Sequence, residues 1–152
     1  MKSHDAGFTL IELMVVIALI AIASAVASLA LRDPAATRLE QEAARLTALL
    51  ESARAEARAS GLEARWVPRA ADSEQGPGFD FVGLPSGGDR PTHWLNEGLV
   101  AEIVGGRFVT LGPEPLIGPQ RIVLRLDEQR LELSTDGLGP FVVRGDEQVA
   151  AR

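Results

Sequence analysis

From Phe8 to Leu31 the chain reads FTLIELMVVIALIAIASAVASLAL, and Glu12 is the one charge in it. Neither glycine nor proline interrupts the run, and its leucines and alanines favour helix. At helical rise, residues 8–31 reach about 36 Å, against a bilayer core of about 30 Å. The pattern predicts a membrane-spanning helix. A short polar segment, MKSHDAG, precedes it, and Arg32, Asp33 and Pro34 follow.

Beyond Pro34 the pattern becomes amphipathic. Leu39, Ala43, Leu46, Leu50, Ala53 and Ala57 recur at spacings of three and four and make one apolar stripe. Arg38, Glu42, Arg45, Glu51, Arg54, Glu56 and Arg58 fill much of the remainder and are expected to form a solvated face. Thr37 and Glu40 have the spacing of a capping box, and Gly61 is placed to end the helix. Pro34 either kinks one long helix or breaks it, because its ring removes a donor and crowds the preceding turn.

After Gly61 the period shortens to two. Leu62, Ala64 and Trp66 alternate with Glu63 and Arg65, and Phe79 and Phe81 flank Asp80. Strand-like runs follow at 107–111, 120–126 and 130–134, with Phe141-Val142-Val143 closing the series. Asp127-Glu128-Gln129 and Asp136-Gly137 supply turns, and the stretches 76–91 and 112–119, dense in glycine and proline, read as loops. The expected fold class is α+β. A long N-terminal helix, transmembrane in its first half and amphipathic in its second, packs on a C-terminal antiparallel β-sheet head.

Composition narrows the function. Cysteine is absent, which excludes disulfides, thiolate metal sites and cysteine nucleophiles. The net charge of −6 repels nucleic acid phosphates unless basic residues gather locally. Arg144 and Arg152 at the C-terminal end are balanced by Asp146 and Glu147, so nucleic acid is not an expected partner. Histidine occurs only at His4 and His93, and no nucleophile elbow, zinc-protease or phosphate-loop pattern appears. Asp72 with Glu74, and Asp127 with Glu128, lack the ligand spacing of a calcium loop. No catalytic residue, metal ligand or cofactor is expected.

Glu12 is the informative residue. A carboxylate that deep in an apolar span costs about 2.5–3.5 kcal/mol and ordinarily has a partner. A plain signal anchor does not need it. A cleaved secretory signal, with Ala25-Val26-Ala27 as its small-residue site, does not need it either. A cut between Gly7 and Phe8 does use it, because the new α-amine of Phe8 is a cation able to meet Glu12 of the same or a neighbouring chain.

The residues Gly7-Phe8-Thr9-Leu10-Ile11-Glu12-Leu13 closely resemble the type IV prepilin signature. The resemblance implies cleavage between Gly7 and Phe8 by a prepilin peptidase, N-methylation of Phe8 by the same peptidase/methyltransferase, and a role for Glu12 in subunit assembly. It also implies a single-pass protein of the bacterial inner membrane, with its head in the periplasm. The C-terminal piece from Leu131 to Val143, LELSTDGLGPFVV, is similar to the end of the H-type minor pseudopilins of type II secretion. Asp136, Gly137, Pro140 and Phe141 fit that pattern. Thr135 and Gly139 depart from it, standing where proline and threonine are usual.

The resemblance therefore implies a pilin-like organisation of four segments. Residues 1–7 form a leader, 8–31 a transmembrane assembly helix, 32–61 a stem helix and 62–152 a periplasmic β-rich head. It further implies a structural subunit of the periplasmic pseudopilus, with other pseudopilins and an inner-membrane assembly platform as partners. A minor type IV pilin, serving pilus assembly, adhesion or DNA uptake, is the alternative.

Overall fold

The computed structural model describes residues 9–30, 34–70, 72–85 and 90–144, with side chains of the first stretch described to Ala25. The chain divides into two units, residues 1–33 and 34–152. In the first, α1 spans Leu10–Ala30. In the second, α2 (Pro34–Ser60) is followed, among the described residues, by seven strands. These are β1 (Ala64–Arg69), β2 (Gly78–Val82), β3 (Val100–Ile103), β4 (Val109–Gly112), β5 (Gln120–Leu126), β6 (Gln129–Thr135) and β7 (Val142–Arg144).

Proline at the first position of α2 explains its start. The missing N–H is one that no helical carbonyl would have met, and the fixed φ suits the turn. Thr37 consequently lies inside the helix, and the capping box expected from Thr37 and Glu40 does not form the start. At the other end Gly61, with φ of 67°, takes the left-handed conformation that closes a helix.

The apolar stripe expected on α2 is buried throughout: Leu39, Ala43, Leu46, Leu50, Ala53 and Ala57 are each at most 2% exposed. It packs on antiparallel strands, as the α+β pilin-like arrangement requires, but those strands form two sheets rather than one. The first sheet has the order β2-β1-β4 and the second β3-β5-β6-β7. Helix α2 contacts both. Trp66, Phe79 and Trp94 fill the centre of the core, with the Phe79 and Trp94 rings 4.6 Å apart. Ile122, Leu124, Leu131 and Leu133 bring the second sheet into the same core.

Local chemistry accounts for the sheet details. Pro68 sits in the central strand β1 where β4 no longer pairs with it, so its missing donor interrupts no ladder. Asp127, at φ of 53°, turns β5 into β6, and Leu126 faces Gln129 across the hairpin. The sheets are joined by a side chain. The Gln120 amide accepts from Thr110 N–H (2.7 Å) and donates to the Thr110 carbonyl (2.9 Å), filling the place of a strand beside β4.

Two readings of the head change. The stretch 76–91 is not all loop, since β2 occupies Gly78–Val82. Strand β3 falls on Val100–Ile103, where no strand was expected; it is short and lies at a sheet edge, with Ala101 and Ile103 turned to the core.

Candidate assembly site and the anchored head loop

Gly7 and Phe8, the proposed cleavage pair, lie outside the described residues. Thr9 begins the described chain and caps α1. Its hydroxyl accepts from Glu12 N–H at 3.3 Å, and its carbonyl accepts from Leu13 N–H at 3.2 Å. Thr9 and Glu12 thus have the spacing and half the bonding of a capping box. The same threonine-glutamate spacing stands in the sequence at Thr9 and Glu12 as at Thr37 and Glu40.

Glu12 sits in the first turn of α1. The positive end of the helix dipole favours a carboxylate there. Around it the side chains are apolar on every side and exposed: Leu10, Ile11, Leu13, Met14 and Val15 are each more than half exposed. A helix apolar all round needs apolar surroundings rather than one partner face. Of the transmembrane helix expected over residues 8–31, α1 covers Leu10–Ala30, and Phe8 and Leu31 lie outside the described residues. Among the described residues no helix is long and apolar enough to cross a membrane.

The second notable arrangement lies on α2, and it corrects the expected solvated face. Glu42 and Arg54 are each only 1% exposed. Glu42 Oε1 accepts from the Leu95 N–H (3.1 Å) and from Arg45 Nη1 (3.4 Å). Arg45 Nη1 also donates to the His93 carbonyl (3.2 Å). This pair ties the segment around Trp94 to the helix. The His93 side chain is exposed, and its contribution is its backbone oxygen.

Further along the helix, Arg54 Nη1 donates to the Gly139 carbonyl (2.8 Å) and to Glu51 Oε1 (3.2 Å). Glu51 Oε1 accepts from Phe141 N–H (3.1 Å). The loop they hold is internally closed. Asp136 Oδ1 accepts from the Leu138 and Gly139 N–H groups at 2.9 and 2.8 Å. The Thr135 hydroxyl donates to the Gly139 carbonyl at 2.8 Å and accepts from Gly137 N–H at 3.0 Å. Gly137 has φ of 93°, and a Cβ there would overlap the Ile117 carbonyl oxygen, so only glycine fits. Thr135 and Gly139, the two departures from the resembled pattern, thus take part with Asp136 in closing this loop.

The N–H groups of Gly139 and then Leu138 hold the Asp136 carboxyl below the usual carboxylate range, with a smaller contribution from the Arg54 charge. Among the described residues no group of His, Cys, Asp and Glu side chains is placed to hold a metal.

Residues 2–28 match the prokaryotic N-terminal methylation motif. No curated protein and no solved structure matches the chain. The motif is a type IV pilin and pseudopilin signal, and it indicates a type IV pilin-like protein. It implies processing by a prepilin peptidase and assembly with other pilin-like subunits, and it suggests a structural, membrane-anchored role.

Replacing Arg54 by Met keeps its packing but removes one of the two donors to the Gly139 carbonyl, leaving the Thr135 hydroxyl, and takes the cation from Glu51. The expected loss is about 2 kcal/mol, discounted because Glu51 is partly exposed. Denaturant unfolding followed by Trp66 and Trp94 fluorescence measures it, and an unchanged midpoint contradicts the anchoring role.

A depressed folded-state pKa gives Asp136 a stabilising effect that is complete above its unfolded value. That effect disappears as pH falls below about 4 toward the folded value. Asp136→Asn keeps an acceptor but not the charge, so its stability is expected to vary less with pH below about 4. Parallel acid titrations of melting temperature for the two proteins would show the difference; superimposable curves count against it.

Proposed function

We propose that the protein is a minor pseudopilin of a type II secretion system, of the H-type. It is made with a leader of residues 1–7, cut between Gly7 and Phe8 and methylated on Phe8. Residues 8–31 then hold it in the inner membrane, with the stem 32–61 and the head 62–152 in the periplasm. Assembly places Glu12 against the α-amine of a neighbouring subunit, and an inner-membrane platform draws the chain into a short periplasmic pseudopilus. The head presents surfaces to other pseudopilins or to exported protein.

The observation that carries the reading is the methylation motif over residues 2–28, with Glu12 the one charge in the apolar run. A carboxylate and an amine that meet in apolar surroundings attract strongly, whereas either alone is costly there. The resemblance of the sequence from Leu131 to Val143 to the end of that class supports the H-type assignment. A minor type IV pilin is the second reading, since the same motif serves both systems. Gene neighbourhood separates them: secretin and secretion ATPase genes favour one, pilus genes the other.

Intact-mass spectrometry of the membrane-extracted protein is expected to give a chain starting at methylated Phe8. A chain that retains Met1 to Gly7 ends the proposal. With Glu12→Ala, processing is expected to continue while co-purification with other pseudopilins falls roughly tenfold, the loss of one ion pair out of water. Undiminished co-purification removes Glu12 from the mechanism.

A further inference from the structure

The register of the second sheet assembles a charged surface that the sequence order conceals. Ile122, Leu124, Leu131 and Leu133 face the core, so the alternate residues lie on the opposite face. Across β3, β5 and β6 one row reads Val100, Arg125, Arg130. The next row reads Glu102, Val123, Glu132 and Arg144. The third holds Arg121, Ser134 and Val142. The four arginines are exposed, and among the described residues two carboxylates, Glu102 and Glu132, share the face with them. Arg125 and Arg130 stand directly opposite each other, an arrangement that costs stability in a sheet. Glu102 relieves it only partly, from 3.6 Å and largely in solvent. At the centre Val123 is 3% exposed, yet it is not part of the main core. Its cross-strand neighbours on either side are Glu102 and Glu132.

The chain as a whole carries −6, so a face with four arginines and two glutamates leaves the remainder more acidic still. We infer that this outer face of the second sheet docks an acidic surface of a second copy of the same chain. Two such faces repel each other, which excludes a symmetric face-to-face dimer. The contact joins unlike surfaces, and unlike contacts between identical chains build rings or open helices rather than closed pairs. Val100 and Val142, each about half exposed at the margins, give the contact apolar area. The inference goes beyond the proposed function and does not depend on cleavage after Gly7.

The chain has no cysteine, so Val142→Cys gives a single attachment point on this face. The full-length protein in detergent, labelled there with a benzophenone maleimide and irradiated, is expected to yield an adduct of twice the chain mass. About 1 M salt, where charges are screened beyond about 3 Å, should lower the yield roughly tenfold without any further substitution. Arg125→Glu should do the same at low salt, while Arg38→Glu, on the exposed side of α2, should not. Far-ultraviolet circular dichroism confirms that each variant is folded. The inference is overturned by the absence of an adduct, by an adduct indifferent to salt, by equal loss with Arg38→Glu, or by an adduct to a different polypeptide. Retardation of a duplex DNA fragment that Arg125→Glu abolishes would also overturn it, by assigning the face to phosphate.

Discussion

Alanine at positions 43, 53 and 57 lets α2 lie close against two sheets, and each of these side chains is fully buried. The approach is close at Gly112, where an added Cβ would lie 2.9 Å from the Ala57 Cβ. The sheets share little ladder with each other, so the helix is their common floor. Leucines at 39, 46 and 50 supply apolar area, and the alanines set the distance. Burying charged residues at the borders of this stripe follows from the same closeness. Glu42 and Arg54 are covered by the segments that fold over the helix and are bonded to those segments' backbone. A buried charge without such partners would cost several kcal/mol, so the bonds are a condition of the packing rather than an addition to it.

The two helices answer different solvents. Helix α2 has a stripe and a partner; α1 has no polar side to turn toward water apart from Glu12 and its cap. Thr9 and Glu12 fix where α1 begins, and they keep the carboxylate in the first turn, next to the chain start created by the proposed cut. The methylation motif and the cap geometry concern the same few residues. Chemistry at the chain terminus and the start of the helix are in this way one design.

The stripe on α2 was readable because it is a local, periodic signal with a clear stop at Gly61. The β5–β6 hairpin was readable for the same reason, from alternation and a polar turn. What escaped was non-local. Glu42 finds its backbone donor at Leu95 and Arg54 its acceptor at Gly139, and no window along the chain connects them. Both residues therefore looked like ordinary surface charge. Strand β3 escaped because VAEI is short and its exposure alternates without any buried residue. The start of α2 was misplaced because a threonine-glutamate spacing competes with a proline three residues earlier, and the fixed backbone of proline prevails. The two sheets are bridged through Gln120, a residue whose type alone gives no sign of such a bridge.

A hydrogen-bonded ladder can lose one rung and keep its register, because its neighbours hold the spacing. The seam between β4 and β5 has no such redundancy: both described polar contacts there pass through the single carboxamide of Gln120. Hydrolysis of that amide to a carboxylate would remove the donor and set an oxygen anion against the Thr110 carbonyl. Chemical ageing at one side chain would then separate layers that mechanical load along a ladder would leave joined.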